Sequence, residues 1–148
     1  MRTLFILALA LLGMNTVHAQ ESSVWFVNYE EALASAKVLD RPVLVSFSGS
    51  DWCNNCMRLS KELFETASFL RFADENLILL NLDFPAKKQN KLSKELTEQN
   101  DQLAEKFNKK GSFPLTLLLN KHGQLIGPMD YPLSSVEDYL ENIVQLIE

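Results

Sequence analysis

The sequence predicts an α/β domain with a central mixed sheet of four to five strands flanked by helices. Three short aliphatic runs, residues 43–47, 77–82 and 115–119, have the length and the flanks of buried strands. Between them the apolar residues recur at helical spacing, so strands and helices alternate. With 148 residues, 47% hydrophobic and 22% charged, the chain is long enough for one domain with a real core and too short for two.

Each element follows in order from local chemistry. Residues 1–19 read as a signal peptide. Arg2 supplies a positive start, residues 4–12 form an apolar run broken by Gly13, and Val17-His18-Ala19 suits cleavage after Ala19. The run is about nine residues against the roughly 20 that a spanning helix needs, so no stable membrane insertion is expected. A retained N-terminal anchor is the alternative. The expected mature domain is residues 20–148, periplasmic or secreted.

Asn28 then caps an amphipathic helix carrying Ala32, Leu33, Ala36 and Leu39, with Glu30 and Glu31 at its positive end. Asp40-Arg41-Pro42 stops it. Residues 43–47 are the first strand, and Ser48-Gly49-Ser50-Asp51 is a turn. From Cys53 to about Thr66, Cys56, Leu59, Leu63 and Phe64 keep a helical period, and a second short helix runs through Phe69, Leu70 and Phe72. Residues 77–82 form the next strand, ended by Asp83-Phe84-Pro85. A long polar helix over residues 91–107 bears Leu92, Leu96, Leu103, Ala104 and Phe107, and Lys110-Gly111 ends it. The third strand, residues 115–119, turns through Asn120-Lys121-His122-Gly123 into a short partner at residues 124–126. Ser134-Ser135-Val136-Glu137 reads as a capping box opening a last helix with Val136, Tyr139, Leu140, Ile143, Val144 and Ile147. Residues 24–27 are a candidate further edge strand. Early alternation gives parallel strands with right-handed crossovers, and the closing hairpin adds an antiparallel edge.

The charge balance prunes the partners. Loss of Arg2 with residues 1–19 takes the formal charge from −5 to −6. An acidic domain without a basic patch is a poor nucleic-acid binder, and Lys87-Lys88 and Lys109-Lys110 read as solvated turns or helix ends. A monomer is expected. Past residue 19 a single histidine remains, His122, in a hairpin turn that solvates it, which disfavours a Cys–His hydrolase. Two cysteines and one histidine fall short of the four ligands of a structural zinc site unless carboxylates or a second chain complete it, so no metal is expected.

The chemistry therefore rests on Cys53 and Cys56. As a staple their four-residue loop is worth about 2 kcal/mol, against about 4.7 for a hundred-residue loop, so a protein needing one bridge gains more by tying distant segments. Position favours reactivity. Cys53 falls at a helix start, where unpaired N–H groups and the helix dipole favour a thiolate, while Cys56 lies one turn inside. The spacing predicts one exposed, nucleophilic sulfur and one shielded, resolving sulfur. Trp52 is expected beside the pair, shaping a docking face, with a half-buried surface aromatic as the alternative; Met57 reads as core filling, with a soft contact to the sulfurs as the alternative.

Trp52-Cys53-x-x-Cys56, the strand before it, and Gly111-Ser112-Phe113-Pro114 before a hydrophobic strand resemble the thioredoxin superfamily. More narrowly, Ser48-Gly49-Ser50-Asp51-Trp52-Cys53, Leu82-Asp83-Phe84-Pro85 and the run from Glu31 to Leu44 look like a bacterial exported thioredoxin-like subfamily. The resemblance implies a thioredoxin fold and a thiol–disulfide oxidoreductase acting on protein thiols and disulfides, with a membrane electron donor or acceptor as redox partner. It implies no cofactor beyond the Cys53–Cys56 disulfide. It also implies that Pro114 is a cis-proline facing the pair and that the Phe113 backbone binds an extended substrate. Two departures stand out. Ser46 occupies the strand position where such proteins carry a buried acid that moves protons for the resolving cysteine, so another acid or a water chain must help. Asn54-Asn55, between the cysteines, lacks proline and tunes the potential. A redox-inactive peptide-binding module and a Cu(I) carrier using Cys53, Cys56 and Met57 are the rival readings.

Overall fold

The computed structural model describes residues 24–129 and 135–148. The expected signal peptide, its cleavage site and Ser134 lie outside the described residues. The strands are β1 (Trp25–Phe26), β2 (Val43–Ser48), β3 (Ile78–Asp83), β4 (Leu115–Leu119) and β5 (Leu125–Met129). They form one sheet in the order β1-β3-β2-β4-β5. β1 and β2 run parallel to β3, β4 runs antiparallel to β2, and β5 antiparallel to β4. The mixed five-stranded sheet of a thioredoxin fold is the expected one, and the edge strand near residues 24–27 is present.

Both faces of the sheet are covered, which is why the central strands read as continuous apolar runs. On one face Val43, Val45, Phe47, Ile78, Leu80 and Leu82 pack against α1 (Tyr29–Leu39) and α4 (Lys94–Phe107). On the other, Leu44, Leu79 and Leu118 pack against α2 (Asn54–Leu59), α3 (Ala67–Asn76) and α5 (Val136–Ile147), where Phe69, Tyr139 and Ile143 are fully buried. Burying one such side chain is worth about 1.5–3 kcal/mol. The core therefore outweighs a four-residue disulfide loop many times over, and Cys53–Cys56 is not what holds the fold together.

Several boundaries differ from the sequence reading. The helix expected to run to Thr66 is α2 followed by a π-helical turn, Ser60–Phe64. The long polar helix begins at Lys94, because the Ser93 hydroxyl accepts from Leu96 N–H, leaving Leu92 outside. It ends at Phe107 with Asn108 as its cap, short of Lys110-Gly111. Residues 88–90 form a separate 3-10 turn. β5 runs to Met129, beyond residue 126. The last helix is capped by Ser135, whose hydroxyl accepts from Asp138 N–H, one residue later than the Ser134–Glu137 box. Leu39 is exposed, since α1 closes there and Asp40 turns the chain through φ 54.

Candidate active site

β2 delivers the chain to a turn at one end of the sheet, and the turn is tied down by two acids. Asp83 accepts from Ser50 N–H at 2.8 Å and from Ser50 Oγ at 2.7 Å. Asp51 accepts from Ala86 N–H and Lys87 N–H, both at 2.9 Å, and from Asn90 Nδ2 at 2.8 Å. The Ala86 amide, chief among these donors, holds the Asp51 carboxyl below the ordinary carboxylate range. Asp51 is thus a turn residue rather than a stand-in for the missing buried acid. Asn100, buried on α4, donates to the Asp83 carbonyl at 2.9 Å and braces the same corner.

Cys53 follows that turn and is the N-cap of α2. Its N–H donates to Gly49 O at 2.9 Å, and its Sγ accepts from Cys56 N–H at 3.2 Å. Cys53 and Cys56 are joined as a disulfide. A sulfur at this position receives the free N–H groups and the positive end of the helix, which favour negative charge on it once the bond is reduced. As residues the two are equally covered in the disulfide form, at 6% and 7% exposure, so this form does not display the expected contrast between an exposed and a shielded cysteine. The turn and the helix start enclose Cys53 as fully as the helix face encloses Cys56. What differs is what each sulfur has around it.

Beside Cys53 lies an aromatic row. The Trp52 indole is 47% exposed, donates through Nε1 to the Phe84 carbonyl at 2.7 Å, and meets the Phe113 ring edge-on at 5.3 Å. Phe113 in turn meets Phe84 at 5.4 Å, and Phe84 stacks on the core ring of Phe47 at 6.3 Å. The indole lies so close over Gly49 that a Cβ there would overlap it, which is the physical reason for glycine at that position. Trp52 and Phe113 are thus brought together, and the Phe113–Pro114 peptide bond is cis. Asn108 holds the preceding loop, accepting from Ser112 N–H at 2.8 Å and donating to Ser112 O at 2.9 Å.

Behind Cys56 lies a cavity of about 450 Å³ with a mixed polar and apolar lining, to which Ser46 and Met57 both contribute. Met57 is 45% exposed, so it lies outside the core that the sequence assigned to it, displaced by Leu59 and Leu63 as the buried residues of that segment. Asn54 and Asn55 are exposed on the first turn of α2. His122 is exposed in its turn, as expected. Phe84, Asn100 and Asn108 escaped sequence reasoning as site residues: Phe84 read as a strand terminator, and the two asparagines had no motif to mark them. Among the described residues no group of three or more His, Cys, Asp or Glu side chains is placed to hold a metal ion, and no helix is long and apolar enough to cross a membrane.

A thioredoxin-like family model matches residues 24–121. A thioredoxin-related protein, DsbJ of Chlamydia pneumoniae, is 32% identical over 127 residues, covering 81% of this chain and 36% of its own length. The disulfide bond reductase DsbH of the same organism is 27% identical over 116 residues, covering 78% of this chain and 68% of its own length. The chain thus spans about a third of one of these relatives and about two thirds of the other. Among solved structures, a DsbH oxidoreductase superposes with a TM-score of 0.78 at 24% identity, over 95% of this chain and 94% of that one. A thioredoxin from Thermus thermophilus follows with a TM-score of 0.63 at 17% identity, over 84% and 88%. With the fold, the helix-capping Cys53–Cys56 pair and the family match all in agreement, the chain belongs to the thioredoxin-like family.

Proposed function

We propose that this protein is a thiol–disulfide oxidoreductase that exchanges dithiol for disulfide on exported protein substrates through Cys53 and Cys56. The observation that carries the reading is a disulfide closed at the N-cap of α2, where helix N–H groups favour a thiolate on Cys53 after reduction. Cys53 attacks a substrate disulfide to give a mixed disulfide, and Cys56 resolves it, so no further cofactor is used. Trp52, Phe113 and Pro114 form the docking face, Asn54 and Asn55 tune the potential, and Ser46 floors the resolving side. Protein thiols and disulfides are the substrates, with a membrane partner restoring the redox state. The reductase name of the DsbH relative favours the reducing direction.

The test is catalysis of insulin disulfide reduction together with the reduction potential of the pair. Turnover above the dithiol background supports the reading, and a potential near or below that of reducing thioredoxins, about −270 mV, sets the direction as donor. A protein that binds unfolded peptides yet leaves insulin disulfides intact is the binding module instead. We further propose that residues 1–19 are removed on export, leaving residues 20–148 in the periplasm or medium. Mass spectrometry of protein from its native host should find Gln20 as the first residue; an intact Met1 overturns export by this route.

A further inference from the structure

On the side of the sheet facing α2, the apolar alternation of the two central strands gives out below the cysteines. Leu44 and Leu79 are buried in the core, but the next residues on the same face are Ser46 and Ser48 of β2 and Asn81 of β3, with Ser46 paired to Asn81 in register. Ser48 Oγ donates to Asn81 Oδ1 at 2.9 Å. These three line the cavity of about 450 Å³, and Cys56, Ser60 and Glu65 line it from the helical side together with the apolar Met57 and Phe64.

The π turn decides that wall. Ser60 follows Cys56 by four residues and donates its N–H to the Cys56 carbonyl, so the two side chains share a helix face. In a regular α-helix Glu65 would lie about 140° around from Ser60. In the π turn its N–H donates to Ser60 O at 2.9 Å, and its Oε1 accepts from Ser60 Oγ at 2.9 Å. The extra residue per turn thus swings a carboxylate onto the face of Cys56. π insertions of this kind are often found at functional sites.

Resting on the oxidoreductase reading, we propose that Ser60 and Glu65 are the proton outlet of Cys56, standing in for the buried acid that Ser46 replaces. In the mixed disulfide Cys56 is a thiol. Its proton passes through cavity water to the Ser60 oxygen as the Ser60 hydroxyl proton passes to Glu65. The Cys56 thiolate then attacks Cys53 Sγ. The Cys53–Cys56 bond forms, the bond from Cys53 to the substrate sulfur breaks, and the substrate leaves as a thiolate that takes a proton from water. The cysteine pair is oxidised by two electrons and the substrate sulfurs are reduced by two, while Glu65, open to solvent, returns its proton to the bulk.

The groups around the relay leave Glu65 as the acceptor. Arg58 and Glu62, on the same helical segment, pair with each other at 3.8 Å, and Lys61 is exposed. Asp83 at the end of β3 is engaged by Ser50, and Asp51 by the 86–90 loop. From β1, β2 and β3 the cavity receives Trp25, Ser46, Ser48 and Asn81, none of which titrates.

The experiment is stopped-flow reaction of the reduced full chain with an aromatic model disulfide from pH 5 to 9. The first thiolate released reports attack by Cys53, and the second reports resolution by Cys56. Glu65→Gln and Ser60→Ala should leave attack unchanged and slow resolution at least tenfold near pH 7, in line with the usual value of a positioned proton acceptor. Their resolution rate should climb steadily with pH, whereas the wild type levels off early. Adding Ser46→Asp to Glu65→Gln should restore fast resolution, which a structural role for Glu65 does not predict. Unchanged resolution and pH profile in both single variants overturn the relay while the oxidoreductase reading stands. A wild-type protein that releases no first thiolate overturns that reading, and the relay with it.

Discussion

Cys53 and Cys56 are three residues apart, bonded to each other and equally covered, yet they look out on different chemistry. On the Cys53 side lies an aromatic row, Trp52 and Phe113 backed by Phe84, and its indole is held by one hydrogen bond to the carbonyl of Phe84, more than thirty residues away in sequence. On the Cys56 side a cavity carries hydroxyl, amide and carboxylate groups, placed by strand alternation and one π turn, alongside the apolar Trp25, Met57 and Phe64. The contrast teaches that exposure is not what separates an attacking from a resolving sulfur in this site. One sulfur caps a helix beside an aromatic row; the other opens on a cavity that Ser60 and Glu65 also line.

Serine replacements should break the comparison most visibly. Cys53→Ser should lower disulfide exchange by on the order of 10³-fold, because it removes the thiolate nucleophile. Cys56→Ser should leave attack within a few-fold and make the mixed disulfide persist, which non-reducing electrophoresis with a thiol substrate will detect. Alkylation of the reduced protein at pH 6–7 sharpens the point: Cys53 should be labelled well ahead of Cys56, because its sulfur alone sits at the helix start. Equal rates would mean that the two surroundings do not distinguish the sulfurs.

Gly49→Ala tests the aromatic side alone. The added methyl overlaps the Trp52 indole, so the ring must leave its place against Phe113 and its bond to the Phe84 carbonyl. Overpacking of this kind costs about 1–3 kcal/mol, which should appear as a lowered Tm and a red-shifted tryptophan emission. Formation of the mixed disulfide with a protein substrate should slow, while its resolution should not. A variant with unchanged fluorescence and unchanged docking would show that Trp52 is not held by this contact.

The smallest effect is expected at Asp51, which supports both sides from below. Its carboxyl is held under its ordinary value, chiefly by the Ala86 amide and also by Asn90 and Lys87. A depressed carboxyl stabilises the fold above the unfolded value of about 4 and loses that contribution as pH falls through the folded value. Protection of the Ala86 and Lys87 amides, measured against their intrinsic exchange rates, should therefore fall as the pH drops below about 4. Asp51→Asn, which can accept through one oxygen only, should lower it at neutral pH and flatten that dependence, with little change in turnover.

The legible part of the site was the part written in short segments. Trp52-Cys53-x-x-Cys56 at a strand-to-helix junction marks itself, since strand, turn and cap are neighbours in sequence and each rests on local chemistry. The Phe113–Pro114 pair was legible through resemblance rather than through the chemistry of those two residues. Ser46 could be named as a departure but not explained, because what surrounds it comes from β3 and from the far end of the next helical segment. Met57 was misplaced for a related reason: an apolar residue at helical spacing is compatible with either face until the helix is docked.

By itself the sequence determined the strands, the helices and their order, the reactive pair, and the cap at Asn28, because hydrophobic period, turn chemistry and caps act within a few residues. Only the tertiary structure decided which elements meet at the pair. The closeness of Phe84 to Trp52, the anchoring of Asp51 in the 86–90 loop, and the cavity shared by Ser46, Asn81 and Glu65 all depend on the pairing of β2 with β3. The π turn belongs with them. A hydrophobic period allows either an α or a π turn after Leu59, and the chain takes the one that keeps Leu63 and Phe64 in the core while Glu65 faces Ser60. Packing free energy, spent across the whole sheet, selects between backbone registers that local preference leaves nearly equal.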